Sequence, residues 1–139
     1  MNDSYRLQRF IDAQDPVFDQ VRQELRQGRK QSHWMWFVFP QISGLGSSPM
    51  ASRFAISSLA EAKAYLQHPI LGQRLRECAQ LTMQVEGRSA LEIFGYPDDM
   101  KFRSSMTLFA RASPDEQVFK DAIQKHFDGE FDPLTLERL

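Results

Sequence analysis

Cysteine, long apolar runs and an excess of charge of either sign are all scarce in this 139-residue sequence. The single cysteine, Cys78, excludes an internal disulfide and a cysteine-rich zinc site. No apolar run approaches the ~18 residues of a membrane span, so no membrane association is predicted. Seventeen basic and eighteen acidic residues give a net charge of -1. That balance provides no basic field for nucleic acid, and nucleic-acid binding is not predicted.

Targeting, metal and cofactor signals are also missing. Residues 1–6 lack the basic segment followed by an apolar one that marks a secretion signal, so a cytoplasmic location is expected. The three histidines include no pair at the spacing of metal ligands, so no metal site is predicted. The sequence contains no Walker, dinucleotide-binding or Gly-x-Ser-x-Gly pattern. We therefore predict no cofactor.

What is present is typical of a globular helical protein. Hydrophobic residues make up 42% and charged residues 25% of the chain. Apolar residues recur at helical spacing between helix-capping signals, whereas strand signals are few. These patterns predict an all-α fold, with one domain over residues 1–139 and roughly five to seven helices packed irregularly around one core. Helix starts are predicted near residues 15–16, 58, 69, 89, 97, 113 and 132–133.

Two neighbouring segments do not follow the helical pattern. Residues 34–39 are apolar on every side, which does not distinguish a buried helical turn from a buried strand. Residues 41–49 are rich in glycine and serine and are predicted to form a loop, with a helix beginning near Ser52 and Arg53. Backbone N–H groups of such a loop could hold a phosphate. The alternative is a flexible connector, because the Gly-Lys-Ser/Thr ending of a P-loop is missing.

The first candidate site lies just before this loop. Lys30, His33, Trp34 and Trp36 fall within seven residues. Indole faces stack on planar rings and cations attract anionic groups, so this composition is typical of a ligand pocket. The alternative is a core element with packed aromatic rings. If the protein is an enzyme, His33 is the best candidate for general acid–base catalysis, because an ordinary histidine titrates near neutral pH.

The second candidate site lies on a predicted helix near residue 100. Helical spacing places Lys101 one turn from Ser105, with Ser104 beside them. A lysine with neighbouring hydroxyl groups suits the binding of an oxyanion. The alternative is a surface ion pair between Lys101 and Asp98.

Two functions from different classes remain open at this point. The first is binding of a small anionic or nucleotide-like ligand in an aromatic and cationic pocket; whether a reaction follows is left open. The second is a protein–protein interaction module without catalytic activity, with a basic face around residues 22–30 or an acidic one over residues 115–139, and its partner is unspecified. The residues predicted to contact a small ligand are Lys30, His33, Trp34, Trp36, Arg53, Lys101, Ser104 and Ser105.

Residues 32–41, which read Ser-His-Trp-Met-Trp-Phe-Val-Phe-Pro-Gln, resemble the signature of a bacterial family known as domain of unknown function 1810. The likeness continues at residues 7–10, 62–69, 71–72, 93–95 and 98, and at residues 101 and 104–109. It implies a compact, mainly helical single domain and supplies no catalytic residues. Some members carry the label calpastatin, which does not fit, because calpastatin is a long disordered chain and this sequence has a globular composition.

Overall fold

A helix of fifteen residues at the centre of the molecule organises the fold. The computed structural model describes residues 3–139. Residues 1 and 2, part of the segment in which no secretion signal was predicted, lie outside the described residues. Within the described range the chain forms ten α-helices, which are α1 Gln8–Gln14, α2 Phe18–Arg26, α3 Met35–Val38, α4 Pro49–Arg53, α5 Leu59–Gln67, α6 Leu71–Gln84, α7 Ala90–Phe94, α8 Asp98–Ala112, α9 Gln117–Phe127 and α10 Pro133–Leu136.

The all-α class is confirmed, but the predicted count of five to seven helices was too low. The difference comes from short helices such as α3 and α4. The apolar segment over residues 34–39 is a buried helical turn, and α4 begins at Pro49 and ends at Arg53, where a helix was expected to begin. Several predicted caps are confirmed. Ser89 and Glu92 form a reciprocal capping box, and the Asp132 side chain caps α10.

Helix α8 packs against α3, α5, α7, α9 and α10. It can do so because its small residues let neighbouring helices approach, while its large apolar ones fill the space between them. Phe102, Met106 and Phe109 are fully buried. Phe102 contacts the rings of Phe39 and Phe94 at centroid distances of 5.0 and 4.7 Å. The buried apolar side chains form one contiguous cluster.

The loop between α3 and α4 is attached to the chain that follows α4. Ile42 and Ile56 form an isolated parallel bridge. The N–H of Ser43 donates to the Ile56 carbonyl at 2.8 Å, and the N–H of Ile56 donates to the Gln41 carbonyl at 2.9 Å. Both ends of residues 41–56 are therefore held together, and the loop forms a wall beside α3.

The junction between α5 and α6 depends on the absence of a side chain at Gly72. A Cβ atom built on Gly72 would overlap the carbonyl oxygen of Leu66. Gly72→Ala is expected to lower the free energy of unfolding by about 2–3 kcal/mol, because backbone atoms must move to admit the methyl group. Helix propensity alone predicts the opposite sign, a gain of up to about 1 kcal/mol. Urea unfolding of the variant decides between them, and unchanged or increased stability would contradict the packing argument.

No helix among residues 3–139 is long and apolar enough to cross a membrane.

Candidate functional site

The segment that carries both tryptophans is held by one buried carboxylate, Glu24 of α2. Its Oε1 accepts hydrogen bonds from the Gln31 and Ser32 N–H groups and from the Trp34 indole at 2.7, 2.9 and 2.9 Å. Its Oε2 accepts from the Ser32 hydroxyl at 2.6 Å and from the Gln20 amide at 2.9 Å. Five donors therefore converge on a side chain that is almost inaccessible to solvent.

These hydrogen bonds keep Glu24 ionised. Burial by itself raises the pKa of a carboxyl group, but the donors from Ser32, Gln31 and Gln20 outweigh it and lower the pKa of Glu24 to about 2. Trp34, only 1% exposed, has its indole N–H satisfied by this carboxylate. Trp34 is therefore an anchored core residue.

Two lysines share one carboxylate at the start of α8. Lys30 Nζ lies 2.9 Å from Asp98 Oδ2, and Lys101 Nζ lies 3.3 Å from Asp98 Oδ1. The Lys101–Asp98 ion pair, considered as the alternative to oxyanion binding, is therefore present. Lys30 also lies over the Trp34 ring, with Nζ 5.2 Å from its centroid, and Lys101 lies over the Trp36 ring at 5.1 Å. One carboxylate between two ammonium groups leaves the group with a formal charge of +1.

Trp36 borders a cavity of about 390 Å³, which we call the tryptophan pocket. The Trp36 ring is partly exposed there. The loop after α3 supplies one wall and the first half of α8 supplies another. The pocket is lined by Trp36, Gln41, Leu45, Gly46, Ser47, Ser48, Ala51, Pro97, Met100, Lys101, Ser104, Asp132 and Leu134.

The Ser104 side of the pocket is a buried polar network. The Ser104 hydroxyl donates to Asp132 Oδ2 at 2.8 Å, and the Thr135 hydroxyl donates to the same oxygen at 2.6 Å. The Asp132 N–H donates to the Thr107 hydroxyl oxygen at 2.9 Å. Asp132 is 6% exposed and Ser104 is 5% exposed. The network joins α8 to the start of α10.

Of the eight predicted ligand residues, the tryptophan pocket brings together Trp36, Lys101 and Ser104. Lys30 does not line it and pairs with the other oxygen of the Asp98 carboxylate that Lys101 contacts. His33 is exposed and does not line the pocket. It is therefore not placed to act as a general base on a ligand in this pocket. Ser105 is fully buried, and its hydroxyl has no hydrogen-bond partner among the described residues.

Arg53 lies apart from the tryptophan pocket, in a different cavity of about 310 Å³. Arg9 also lines that cavity, but its guanidinium is already bound by the Glu61 carboxylate and by backbone carbonyls. A cavity of about 220 Å³ lies between the two, bordered by Trp36 on one side and by Ser43 and Ser52 on the other. Arg53 is thus separated from Lys101 by this intervening cavity.

Sequence reasoning missed several lining residues, above all Asp132. It was interpreted only as a helix cap before Pro133, and a capping signal says nothing about a second role. Met100 and Leu134 were missed because exposed apolar residues near a helix end have no distinctive pattern. The glycine- and serine-rich loop was considered as a phosphate cradle, and Gly46, Ser47 and Ser48 do line the pocket.

Other reactive groups are inert or absent from the described residues. Cys78 is buried, and burial raises the pKa of its thiol. Within residues 3–139 no cluster of histidine, cysteine and acidic side chains could hold a metal ion. The tryptophan pocket therefore offers an aromatic face, one ammonium group, hydroxyl groups and one carboxylate.

Comparison with known proteins places the chain in a family without assigning it a reaction. The crystal structure of the conserved hypothetical protein Rv1873 from Mycobacterium tuberculosis has a TM-score of 0.97 and 58% sequence identity to this chain. The alignment covers 99% of this chain and 98% of that one. No curated protein matches. The family model described as a protein of unknown function, DUF1810, matches residues 4–139, so the resemblance is confirmed and the chain belongs to this family.

Proposed function

We propose that the tryptophan pocket binds a small ligand that combines a planar ring with an anionic group, as a nucleotide does. The observation that carries the proposal is the partly exposed Trp36 ring with the Lys101 ammonium 5.1 Å from its centroid, both bordering a cavity of about 390 Å³. Because the Lys101 ammonium already lies over the Trp36 ring, a planar ring bound there packs against Trp36 beside the ammonium and places its anionic group at Lys101. Cavities of this size, with a few convergent polar groups, are typical of small-molecule sites.

The electrostatics support an anionic group at the Lys101 end. Asp98 neutralises only one of the two lysines that it contacts, so a positive charge remains beside Trp36. The Lys101 side chain is 25% exposed and lines the pocket. An anion there would share the Lys101 ammonium with Asp98 and would gain a charge-assisted hydrogen bond.

Trp36 supplies the aromatic face of the proposed site. In a thermal-shift assay with millimolar nucleoside monophosphates, Trp36→Ala is expected to bind roughly tenfold to a hundredfold more weakly than the wild type, because stacking on an aromatic side chain contributes about 1–3 kcal/mol. A ligand at 100 times its Kd adds about 2.7 kcal/mol, enough to raise Tm by several degrees. Lys101→Ala is expected to weaken binding of the same compounds.

Two surface variants serve as controls. Leu91→Ala removes an exposed apolar side chain outside the pocket, and Lys63→Ala removes an exposed lysine outside it. Both are expected to bind as the wild type does. The Lys101→Ala variant retains the Lys30–Asp98 ion pair, so its fold is expected to persist. Equal Tm shifts for wild type and Trp36→Ala would contradict the proposed pocket.

A protein–protein interaction module remains the second candidate, and one observation favours it. Exposed apolar side chains border the pocket, among them Leu134 at 60% and Met100 at 42% exposure. A protein partner would cover such residues. The same screen separates the two functions. If no compound raises Tm, the interaction module becomes the better explanation of these side chains.

A further inference from the structure

The Asp132 carboxylate can accept more hydrogen bonds than its structural role requires. As the N-cap of α10 it accepts the Thr135 N–H at 3.3 Å through Oδ2. The same oxygen accepts the hydroxyl groups of Ser104 and Thr135. All the hydrogen bonds that stabilise this carboxylate within the described chain therefore converge on one oxygen.

The other oxygen, Oδ1, accepts no hydrogen bond from residues 3–139. In that range two side-chain atoms are both inaccessible to solvent and without a hydrogen-bond partner, Asp99 Oδ1 and Ser105 Oγ. Asp132 Oδ1 is not one of them, so it is unpaired but not sealed. Since Asp132 lines the tryptophan pocket and is otherwise almost fully buried, we infer that its free oxygen faces that cavity. A carboxylate oxygen in such a place needs a donor. Water can supply it in the free protein, and a ligand that displaces the water has to replace it.

The charges of the pocket lead to the same requirement. Among the described residues that line it, Lys101 and Asp132 are the charged ones, with opposite signs. A ligand that is anionic throughout would be repelled at the Asp132 end. A ligand with an anionic group at one end and a hydrogen-bond donor at the other would satisfy both residues.

We propose that Asp132 is a specificity-determining residue of this pocket, and that its Oδ1 accepts a hydrogen bond from a hydroxyl or amino group of the bound ligand. The inference deepens the proposed function and rests on it. It names a class of ligand, namely a compound that combines a planar ring, an anionic group and a neutral donor. A nucleotide offers two sources of the donor, the sugar hydroxyl groups and an exocyclic amino group.

Asp132→Asn separates this role from the structural one. Asparagine caps helices about as well as aspartate and has nearly the same volume. Its amide oxygen can accept the hydrogen bonds from Ser104 and Thr135. Its NH₂ group then occupies the place of Oδ1 and presents a donor to the cavity where the wild type presents an acceptor. The variant is expected to fold with a Tm close to that of the wild type.

The probes are adenosine 5′-monophosphate, inosine 5′-monophosphate and the 2′- and 3′-deoxy forms of the adenosine compound. Their Kd values are measured by calorimetry on the full chain. Wild type is expected to bind the adenosine compound at least tenfold more tightly than the probe that lacks the recognised donor. A loss with inosine identifies the amino group, and a loss with a deoxy form identifies a hydroxyl group. Asp132→Asn is expected to bind the adenosine compound at least tenfold more weakly and to lose this discrimination.

Thr135→Val provides the matched control. It removes one donor to Oδ2, leaves Oδ1 intact, and is expected to lower Tm while preserving the discrimination among probes. If Asp132→Asn binds and discriminates as the wild type does, or if wild type binds all four probes equally, this inference is overturned and the proposed function stands. If no probe binds the wild type, both are overturned.

Discussion

Glu24→Gln is expected to lower the free energy of unfolding at pH 7 by about 3 kcal/mol. The pKa of Glu24 in the folded chain, about 2, lies some 2.5 units below the ordinary glutamate value of 4.5, and each unit corresponds to about 1.4 kcal/mol. Glutamine places an NH₂ group where the carboxylate accepts hydrogen bonds from Ser32 and Gln20. At least one buried donor then lacks an acceptor.

The pH dependence of stability tests the same claim. Because the pKa of Glu24 is lower in the folded than in the unfolded chain, its contribution is complete above about pH 5. It is lost as the pH falls towards 2, where the carboxylate of the folded chain also takes up a proton. The measurement is urea unfolding of wild type and Glu24→Gln between pH 7 and 2. The stability difference is expected to shrink over this window.

The quantity to compare is the difference in free energy of unfolding between wild type and Glu24→Gln at each pH, because other groups titrate in the same range and affect both proteins. One is Glu116, whose pKa is lowered by its hydrogen bond with Arg76. Glu77→Gln is the matched control, since Glu77 forms a partly exposed ion pair with Arg22 and exposed pairs contribute about 0–1 kcal/mol. A Glu24→Gln variant as stable as Glu77→Gln at pH 7 would refute the role assigned to Glu24.

Phe102→Ala is expected to lower the free energy of unfolding by about 3–5 kcal/mol. The ring is fully buried, stacks on Phe94 at 4.7 Å and meets Phe39 edge-on at 5.0 Å. Removing it opens a cavity between α7, α8 and the end of α3, and rings of this size cannot close it without moving helices. Tm is expected to fall by roughly 10 °C or more, as measured by calorimetry.

Phe102→Leu separates lost volume from a general disturbance of α8. It retains most of the buried apolar area and is expected to cost about 1–2 kcal/mol. The alanine variant is also expected to weaken ligand binding, since Lys101 and Ser104 stand on the same part of α8. An alanine variant within 1 kcal/mol of wild type would mean that the neighbouring rings repack into the space.

Local signals in the sequence predicted the helices well where capping chemistry is strong. Ser89 and Glu92 each accept a hydrogen bond from the other's backbone N–H, so the whole interaction lies within four consecutive residues. The same holds for Asp132, which caps the turn that follows it. The short helices α3 and α4 were not predicted. Helix α3 has no capping side chain and is stabilised by the packing of its buried residues. Helix α4 does begin with a local Ser-Pro cap at residues 48–49, but that signal was interpreted as part of a loop. The long apolar segment around Phe37 has no periodicity to interpret.

The two tryptophans mark the limit of sequence reasoning about the site. Trp34 and Trp36 lie two residues apart and have the same chemistry, and both were predicted to line a pocket. Their environments differ because the chain at α3 directs the Trp34 indole towards Glu24 and the Trp36 ring towards α8. Glu24 is ten residues from Trp34 along the chain, and no spacing rule connects them.

The sequence by itself determined the helical class, the family and three members of the tryptophan pocket, because composition, periodicity and local motifs depend on residues close together in the chain. Only the tertiary structure decided that Lys30 and Lys101 share Asp98, and that Asp132 meets Ser104 across 28 residues. Helical periodicity identifies which face of a helix is buried, but not which other face it meets. Charge pairing and pocket formation depend on which faces meet, and this is decided by the packing of all the helices together.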